Sequence, residues 1–141
     1  MSMGSQLSSM NKVNFEDVQW VIKENKPFLL INTLKTTNQK CLIKGTLPID
    51  KEESIINQQI KNRRIIIYGR NANDESISHK YQQLLKLGFL NIYIYPGGLF
   101  EWLCLQDIYG KDSFPTTISE LDILKYKPPP KICDAYLLGN D

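Results

Sequence analysis

The sequence predicts an α/β fold: a small parallel β-sheet flanked by helices on both faces, followed by a C-terminal extension. Two patterns support this prediction. Short, continuous apolar runs at Phe28–Asn32, Ile65–Ile67 and Asn91–Tyr95 are typical of strands that are covered on both faces. Segments with helical periodicity alternate with these runs, and this alternation indicates βαβ crossovers and a parallel sheet.

The first half of the chain predicts a capped helix, a strand and a less regular stretch. Asn14 can cap a helix that Pro27 ends, directly before the first apolar strand. Residues 41–49 predict a turn that leads into a second, shorter strand. Residues 52–60 predict a weak helix. Its buried side is predicted to hold Ile55, Ile56 and Ile60.

The second half predicts two helices on either side of the last strand. Gly88 is expected to end the first of them in a left-handed conformation. The second is predicted over Leu99–Tyr109 and is apolar around most of its circumference, so another segment must cover it. The buried side of the first helix is predicted to hold Ile77, Tyr81, Leu84 and Leu85.

The chain after residue 112 is the predicted cover. Thr117 and Glu120 form a Thr-x-x-Glu pattern, which predicts a short turn of helix. Four apolar residues follow and are expected to pack across the preceding helix: Leu121, Ile123, Leu124 and Tyr126. We therefore predict a disordered leader over residues 1–12, a domain over 13–112 and an extension over 113–141 that packs on it.

Composition excludes several classes of function. A net charge of +2 is too small to indicate nucleic-acid binding. The cysteines are Cys41, Cys104 and Cys133, an odd number without a CxxC pair, which argues against disulfides or a zinc site and favours a reducing compartment. We predict a cytoplasmic protein without a metal or cofactor. No apolar run approaches the ~20 residues of a membrane span.

One N-terminal pattern bears on membranes. Residues 3–8 match the myristoylation pattern if translation begins at Met3, because Gly4 would then carry the acyl chain. If translation begins at Met1, Ser2 follows the initiator methionine, and no glycine is in the position that is acylated. Membrane contact is predicted only if Gly4 is acylated.

Four local patterns, in order along the chain, resemble the rhodanese-like family. Phe28–Leu34 lies where the family has an apolar strand ending in Asp-x-Arg, and Ile43–Leu47 resembles its Ile-x-Gly-Ala turn. Ile66–Arg70 stands in the place of its Val-x-Tyr-Cys-Arg. Leu85–Phe89, followed by Tyr95–Trp102, is similar to its Gly-Phe…Gly-Gly-x-x-x-Trp ending. The resemblance covers about two-thirds of the chain.

The departures from the family pattern fall at its site. The resemblance places Gly69 where the family has its sulfur-carrying cysteine, and Asn32 and Leu34 where it has Asp and Arg. Glycine has no side chain and cannot attack or carry sulfur. The resemblance therefore implies a catalytically inactive domain that serves as a protein-interaction or regulatory module. The alternative is a sulfurtransferase or phosphatase-like enzyme that uses a non-standard residue.

The loop after this strand is the predicted anion- or partner-binding site. Its residues are Gly69, Arg70, Asn71, Ala72, Asn73, Asp74, Glu75 and Ser76. A strand-to-helix loop presents backbone N–H groups that favour anions, and Arg70 would add a charge. Asp74 can instead cap the helix and take up those N–H groups itself. A self-capped empty loop, weak anion binding and contact with an unknown protein partner all stay open.

Other candidates for chemistry are few. His79 lies off the apolar stripe and is predicted to be a solvated surface histidine. Cys104 is predicted to be a small buried apolar residue, and Cys133 has no assigned role. Cys41 lies in a turn expected to approach the edge of the site, so it is the one thiol to test as a nucleophile.

Overall fold

Four parallel strands form the sheet at the centre of the computed structural model, which describes residues 10–133. In chain order they are β1 (Asn11–Lys12), β2 (Phe28–Asn32), β3 (Arg64–Tyr68) and β4 (Asn91–Tyr95). Their spatial order is β1-β4-β3-β2, so β3 is central, and Ile66 lies opposite both Leu30 and Tyr93. The predicted parallel α/β architecture is confirmed.

Helices cover both faces of this sheet. They are α1 (Phe15–Lys23), α2 (Ile49–Asn57), α3 (Ser76–Lys86) and α4 (Gly98–Tyr109), with 3₁₀ turns at Thr36–Asn38 and Ile123–Tyr126. Because side chains alternate along a strand, Ile66 and Tyr68 face one core with α1 and α4, while Ile65 and Ile67 face a second core with α2 and α3.

The predicted helix ends are confirmed at two places. Asn14 Oδ1 accepts a hydrogen bond from the Asp17 backbone N at 3.1 Å, and the Asp17 carboxylate accepts one from the Asn14 N at 3.0 Å. This capping box fixes the start of α1. Gly88 follows α3 with φ +96°, a left-handed conformation that glycine adopts without a steric penalty.

The predicted strand within residues 41–49 is wrong. This segment makes only isolated bridges, one between Thr46 and Leu30 and one between Ile43 and Thr116. Thr46 N donates back to Ile43 O at 3.0 Å, and Gly45 has φ +90°, so the chain turns instead of extending a ladder.

Two predicted core positions are also wrong. Ile60 is 70% exposed because α2 begins at Ile49 and ends at Asn57, before it reaches residue 60. Leu85 is 40% exposed, since α3 faces the sheet through Ile77 and Leu84.

The tail packs on the domain in a way that differs from the prediction. No helix forms at Thr117, because its hydroxyl donates to Lys40 O at 2.6 Å and accepts from Leu42 N at 3.0 Å. Leu121 and Leu124 are exposed, contrary to expectation. Tyr126 is buried, as is Phe114, which the sequence did not single out.

Phe114 anchors the tail against α4. Its ring lies 5.0 Å from that of Trp102, centroid to centroid, in an edge-to-face arrangement. Trp102 Nε1 donates to Pro115 O at 3.1 Å, and Gln106 Nε2 donates to Phe114 O at 2.7 Å. These contacts cover the side of α4 that the sheet leaves open. The division into a domain and an extension at residue 113 stays a prediction.

The predicted disordered leader extends too far. Met10 is 5% exposed and β1 pairs with β4, so residues 10–12 belong to the fold. The predictions for residues 1–9, including acylation of Gly4, lie outside the described residues, as does the end of the chain from 134 onward.

Within residues 10–133, no helix is long and apolar enough to cross a membrane.

Candidate functional site

The candidate site is the loop that connects β3 to α3, and the start of α4 lies directly against it. Leu99 N donates to Gly69 O, and Phe100 N donates to Arg70 O, both at 2.9 Å. Gly98 has φ +67°, and a Cβ there would lie 2.7 Å from Gly69 O. Only glycine allows this close approach, so Gly98 holds α4 against the loop.

Gly69 is buried in a space that admits no larger side chain without rearrangement. A Cβ at this position would lie 2.5 Å from Asp74 Oδ2 and 2.8 Å from Thr33 Oγ1. Both distances are shorter than ordinary van der Waals contact. The side chain of Asp74 therefore occupies the space in front of Gly69.

Asp74 also accepts hydrogen bonds from donors at the two ends of the loop. Its Oδ2 accepts from Arg70 N at 2.8 Å, and its Oδ1 accepts from Ser76 N at 3.0 Å and Ser76 Oγ at 2.6 Å. These are donors that a bound anion would need. Asp74 thus accepts from the first residue of α3, although the N-cap position itself is held by Glu75, which makes no side-chain cap bond.

The tail accepts hydrogen bonds from the first two polar side chains of the loop. The Arg70 guanidinium donates to Lys125 O and lies over the Tyr126 ring, 5.8 Å from its centroid. Asn71 is buried, and its Nδ2 donates to Tyr126 O at 2.8 Å. Asn73 N donates to Asn71 Oδ1 at 2.9 Å, which tightens the turn.

The contacts from Lys125 and Tyr126 were not predicted. They join residues 55 positions apart through backbone carbonyls, and no side-chain pattern encodes such a contact. The one related signal was the wide apolar surface of α4. It predicted that another segment covers this helix, but it did not predict which residues of that segment would contact the loop.

A groove of about 800 Å³ runs between the loop and the tail. Its loop side includes Asn73, Glu75 and Ser76. Its tail side is lined by Leu124, Lys125, Lys127, Pro129 and Pro130. We call it the loop–tail groove. Ala72 lies outside it, in a smaller cavity of about 240 Å³ beside Met10.

Asn32 and Leu34, the other two positions that the sequence resemblance singles out, have structural roles. Asn32 is 2% exposed; its Oδ1 accepts from Leu34 N at 3.0 Å and from Gln39 Nε2 at 2.8 Å. Leu34 packs in the core on the α4 side. Neither residue offers a group that titrates or attacks.

Tyr68 fixes the strand that leads to the site. Its hydroxyl accepts from Ile43 N at 3.1 Å and lies 2.7 Å from Thr46 Oγ1. Complete burial raises the pKa of Tyr68 well above its ordinary value. Its ring therefore ties β3 to the turn at residues 43–46 as a neutral side chain.

The thiols lie away from the groove lining. Cys41 is buried, its Sγ lies 3.6 Å from Ile118 O, and burial raises its pKa, which disfavours the reactive thiolate. Cys104 is half-buried, so its predicted full burial is wrong, and desolvation raises its pKa as well. Cys133 is exposed, and so is His79, as predicted. Over residues 10–133, no cluster of side chains could hold a metal ion.

Comparison with known proteins defines the class. The model of the rhodanese-like domain family matches residues 30–104, more than half of the chain. This protein belongs to the rhodanese-like domain family. A search of curated protein sequences finds no significant match.

Solved structures share the fold at low sequence identity. A rhodanese-like domain of the Alr3790 protein from Anabaena sp. is 22% identical, with a TM-score of 0.56 over 85% of this chain and 86% of that one. The BH2092 protein from Bacillus halodurans is 14% identical, with a TM-score of 0.60 over 88% and 95%.

A sulfurtransferase is among these structures. Thiosulfate sulfurtransferase from Pseudomonas aeruginosa is 14% identical, with a TM-score of 0.56. The match covers 70% of this chain and 20% of that one. Identity at these levels shows a common fold and leaves activity to be argued from the site.

Proposed function

We propose that this chain is a catalytically inactive rhodanese-like domain that acts as a protein-interaction or regulatory module. One observation carries the proposal: Gly69 lies where the family resemblance places the sulfur-carrying cysteine, and Asp74 fills the space in front of it. Persulfide chemistry needs a thiolate at the mouth of the loop. Here that position offers no nucleophile, and Asp74 already accepts from the backbone N–H groups of Arg70 and Ser76.

The remaining thiols do not replace the missing one. Cys41 is the nearest candidate by sequence, but burial and the neighbouring Glu120 carboxylate raise its pKa. It is also absent from the lining of the loop–tail groove. All three cysteines are free, which supports the cytoplasmic location that we propose for this module.

A thiocyanate-forming assay with thiosulfate and cyanide tests the inactivity. We expect no turnover by the wild type or by Asp74→Ala. Gly69→Cys/Asp74→Ala restores the thiol and removes the carboxylate that would clash with it, so this variant should gain turnover. Gly69→Ser/Asp74→Ala is the matched control, because serine has a similar size without the sulfur.

Clear wild-type turnover would overturn the proposal, and its loss in Cys41→Ser would identify the substitute nucleophile. The same four proteins, assayed with p-nitrophenyl phosphate, test the phosphatase-like alternative. Hydrolysis by the wild type above the serine control would equally count against an inactive domain.

A further inference from the structure

The loop–tail groove carries an excess of positive charge. Four of its lining residues are cationic and two are acidic. Lys125 is paired with Glu120 at 2.6 Å. The other three, Lys35, Arg70 and Lys127, form no ion pair within the part of the chain that the structure describes.

The acids of the groove compensate only part of this charge. The Asp74 carboxylate already accepts hydrogen bonds from the backbone of Arg70 and Ser76. Glu75 is exposed to solvent, as are Lys35 and Lys127, so salt screens these three charges alike. With Lys125 paired to Glu120, three cations face two acids in the groove, and this excess of positive charge favours an acidic ligand.

The tail side of the groove has an apolar, stiff part beside its two lysines. Leu124 is 63% exposed there, although it is a large apolar residue. Pro129 and Pro130 extend the same wall, and proline restricts its own backbone before any ligand arrives. A wall ordered in advance lowers the entropic cost of binding.

A small inorganic anion fits this groove poorly. Asp74 takes two of the backbone donors that an oxyanion would use, Arg70 N and Ser76 N. The volume of about 800 Å³ lies in the range of sites that enclose drug-sized ligands. Charge, apolar wall and volume together match an extended acidic segment that carries an apolar side chain.

We propose that the loop–tail groove binds an acidic peptide segment of a partner protein, with an apolar side chain packed on Leu124 and the two prolines. Lys35, Lys127 and the Arg70 guanidinium would pair with the carboxylates. The Arg70 guanidinium has five N–H donors, so its hydrogen bond to Lys125 O leaves others for this role. This inference rests on the proposed function as an interaction module and names the class of its partner.

The test measures binding of a labelled peptide to the full chain by fluorescence anisotropy at about 50 mM salt, where exposed charges are weakly screened. The probe is a fluorescein-labelled octapeptide, Glu-Glu-Leu-Glu-Glu-Leu-Glu-Glu. We expect saturable binding that weakens at least tenfold in Lys35→Glu/Lys127→Glu and weakens as salt rises. Leu124→Ser should weaken binding severalfold without changing the salt dependence.

The control variant matches the change in net charge. Lys51→Glu/Lys86→Glu reverses two exposed lysines that do not line the groove. It should bind the probe within about twofold of the wild type. Thermal melts of all variants confirm that each one folds.

Several results would overturn the proposal. They are equal loss of binding in Lys51→Glu/Lys86→Glu, equal binding of a peptide with Gln in place of Glu, displacement of the probe by low-millimolar sulfate, or no wild-type binding at 1 mM protein. Dimer formation that Lys35→Glu/Lys127→Glu abolishes would assign the groove to a second copy instead. The sulfur-transfer assay gives an independent readout, so absent peptide binding with no turnover rejects this groove and leaves the inactive domain in place.

Discussion

At the scale of single residues, Gly69 and Asp74 depend on each other. Glycine leaves the space that the carboxylate occupies, and the carboxylate satisfies donors at both ends of the loop. The carboxylate of Asp74 thus fits because residue 69 has no side chain, and a larger residue at position 69 would clash with that carboxylate. The loop is stable without a bound anion because its own aspartate takes the anion's place.

This dependence predicts a coupling that can be measured. Gly69→Ala places a methyl group against Asp74 and should lower the free energy of unfolding by about 1–3 kcal/mol. Asp74→Ala removes the cap and should cost about 1 kcal/mol. The double variant should lose less than the sum, with a coupling energy above ~0.5 kcal/mol. Urea denaturation of the wild type, the two single variants and the double variant provides this double-mutant cycle.

A distant acid serves as the control for that cycle. Asp50 lies exposed in the first turn of α2, so Asp50→Ala combined with Gly69→Ala should give additive losses. Additive losses for the Gly69 and Asp74 pair as well would show that the carboxylate does not restrict position 69.

At the scale of elements, strongly patterned segments were predictable and long-range ones were not. The sequence placed β2 and β4 at the bounds that the structure shows, because buried parallel strands are continuous apolar runs. It failed for residues 41–49, where Thr46 turns back onto Ile43. It failed again at Thr117, whose hydroxyl bonds to Lys40 and Leu42 from 75 or more positions away.

The candidate site divides in the same way. The loop and the role of Asp74 follow from residues within five positions of each other, so local chemistry sufficed to predict them. By contrast, the side chains of Arg70 and Asn71 donate hydrogen bonds to backbone carbonyls of a 3₁₀ turn in the tail. Any sequence that brings this turn to the same place could supply those carbonyls, so the residue types carry no signal for it.

The tail predicts an unequal response to truncation. A chain that ends at Lys127 keeps Phe114 and Tyr126 and should melt cooperatively within a few degrees of the full chain. A chain that ends at Asp112 loses both buried rings, and removal of one such core aromatic already costs about 3–5 kcal/mol. Circular dichroism melts should show it unfolded or without a cooperative transition.

A companion measurement separates stability from binding in the longer truncation. The chain ending at Lys127 lacks Pro129 and Pro130, so it should fold and yet bind the acidic peptide more weakly. A non-cooperative melt of this chain would show instead that the residues after Lys127 complete the core.

At the scale of the whole molecule, two apolar cores pack against the sheet, one on each face. Both faces of β3 remain packed with large apolar side chains up to Tyr68, one residue before Gly69. Beyond that point, the side chains of Arg70, Asn71 and Asp74 bond to other parts of the protein. Such a scaffold holds its loop and groove in a fixed shape, which is what a binding module requires.

The buried tyrosines predict how this scaffold responds to alkali. Desolvation raises the pKa of Tyr68 and Tyr95 in the folded state, and the bond from Tyr95 to Glu101 adds to its shift. An unfolded tyrosine ionises near pH 10. The stabilisation is therefore complete below about pH 10 and falls above it, because the unfolded state then binds fewer protons. Each tyrosine contributes up to about 1.4 kcal/mol per pH unit.

Urea denaturation between pH 9 and 11.5 tests this dependence. Tyr68→Phe should be less stable at neutral pH, since the Ile43 N–H loses its acceptor, yet its stability should fall less steeply above pH 10. Tyr109→Phe removes an exposed hydroxyl and should keep the wild-type slope. An unchanged slope in Tyr68→Phe would mean that this hydroxyl ionises as readily in the folded protein as in the unfolded chain, and that the core around β3 admits water.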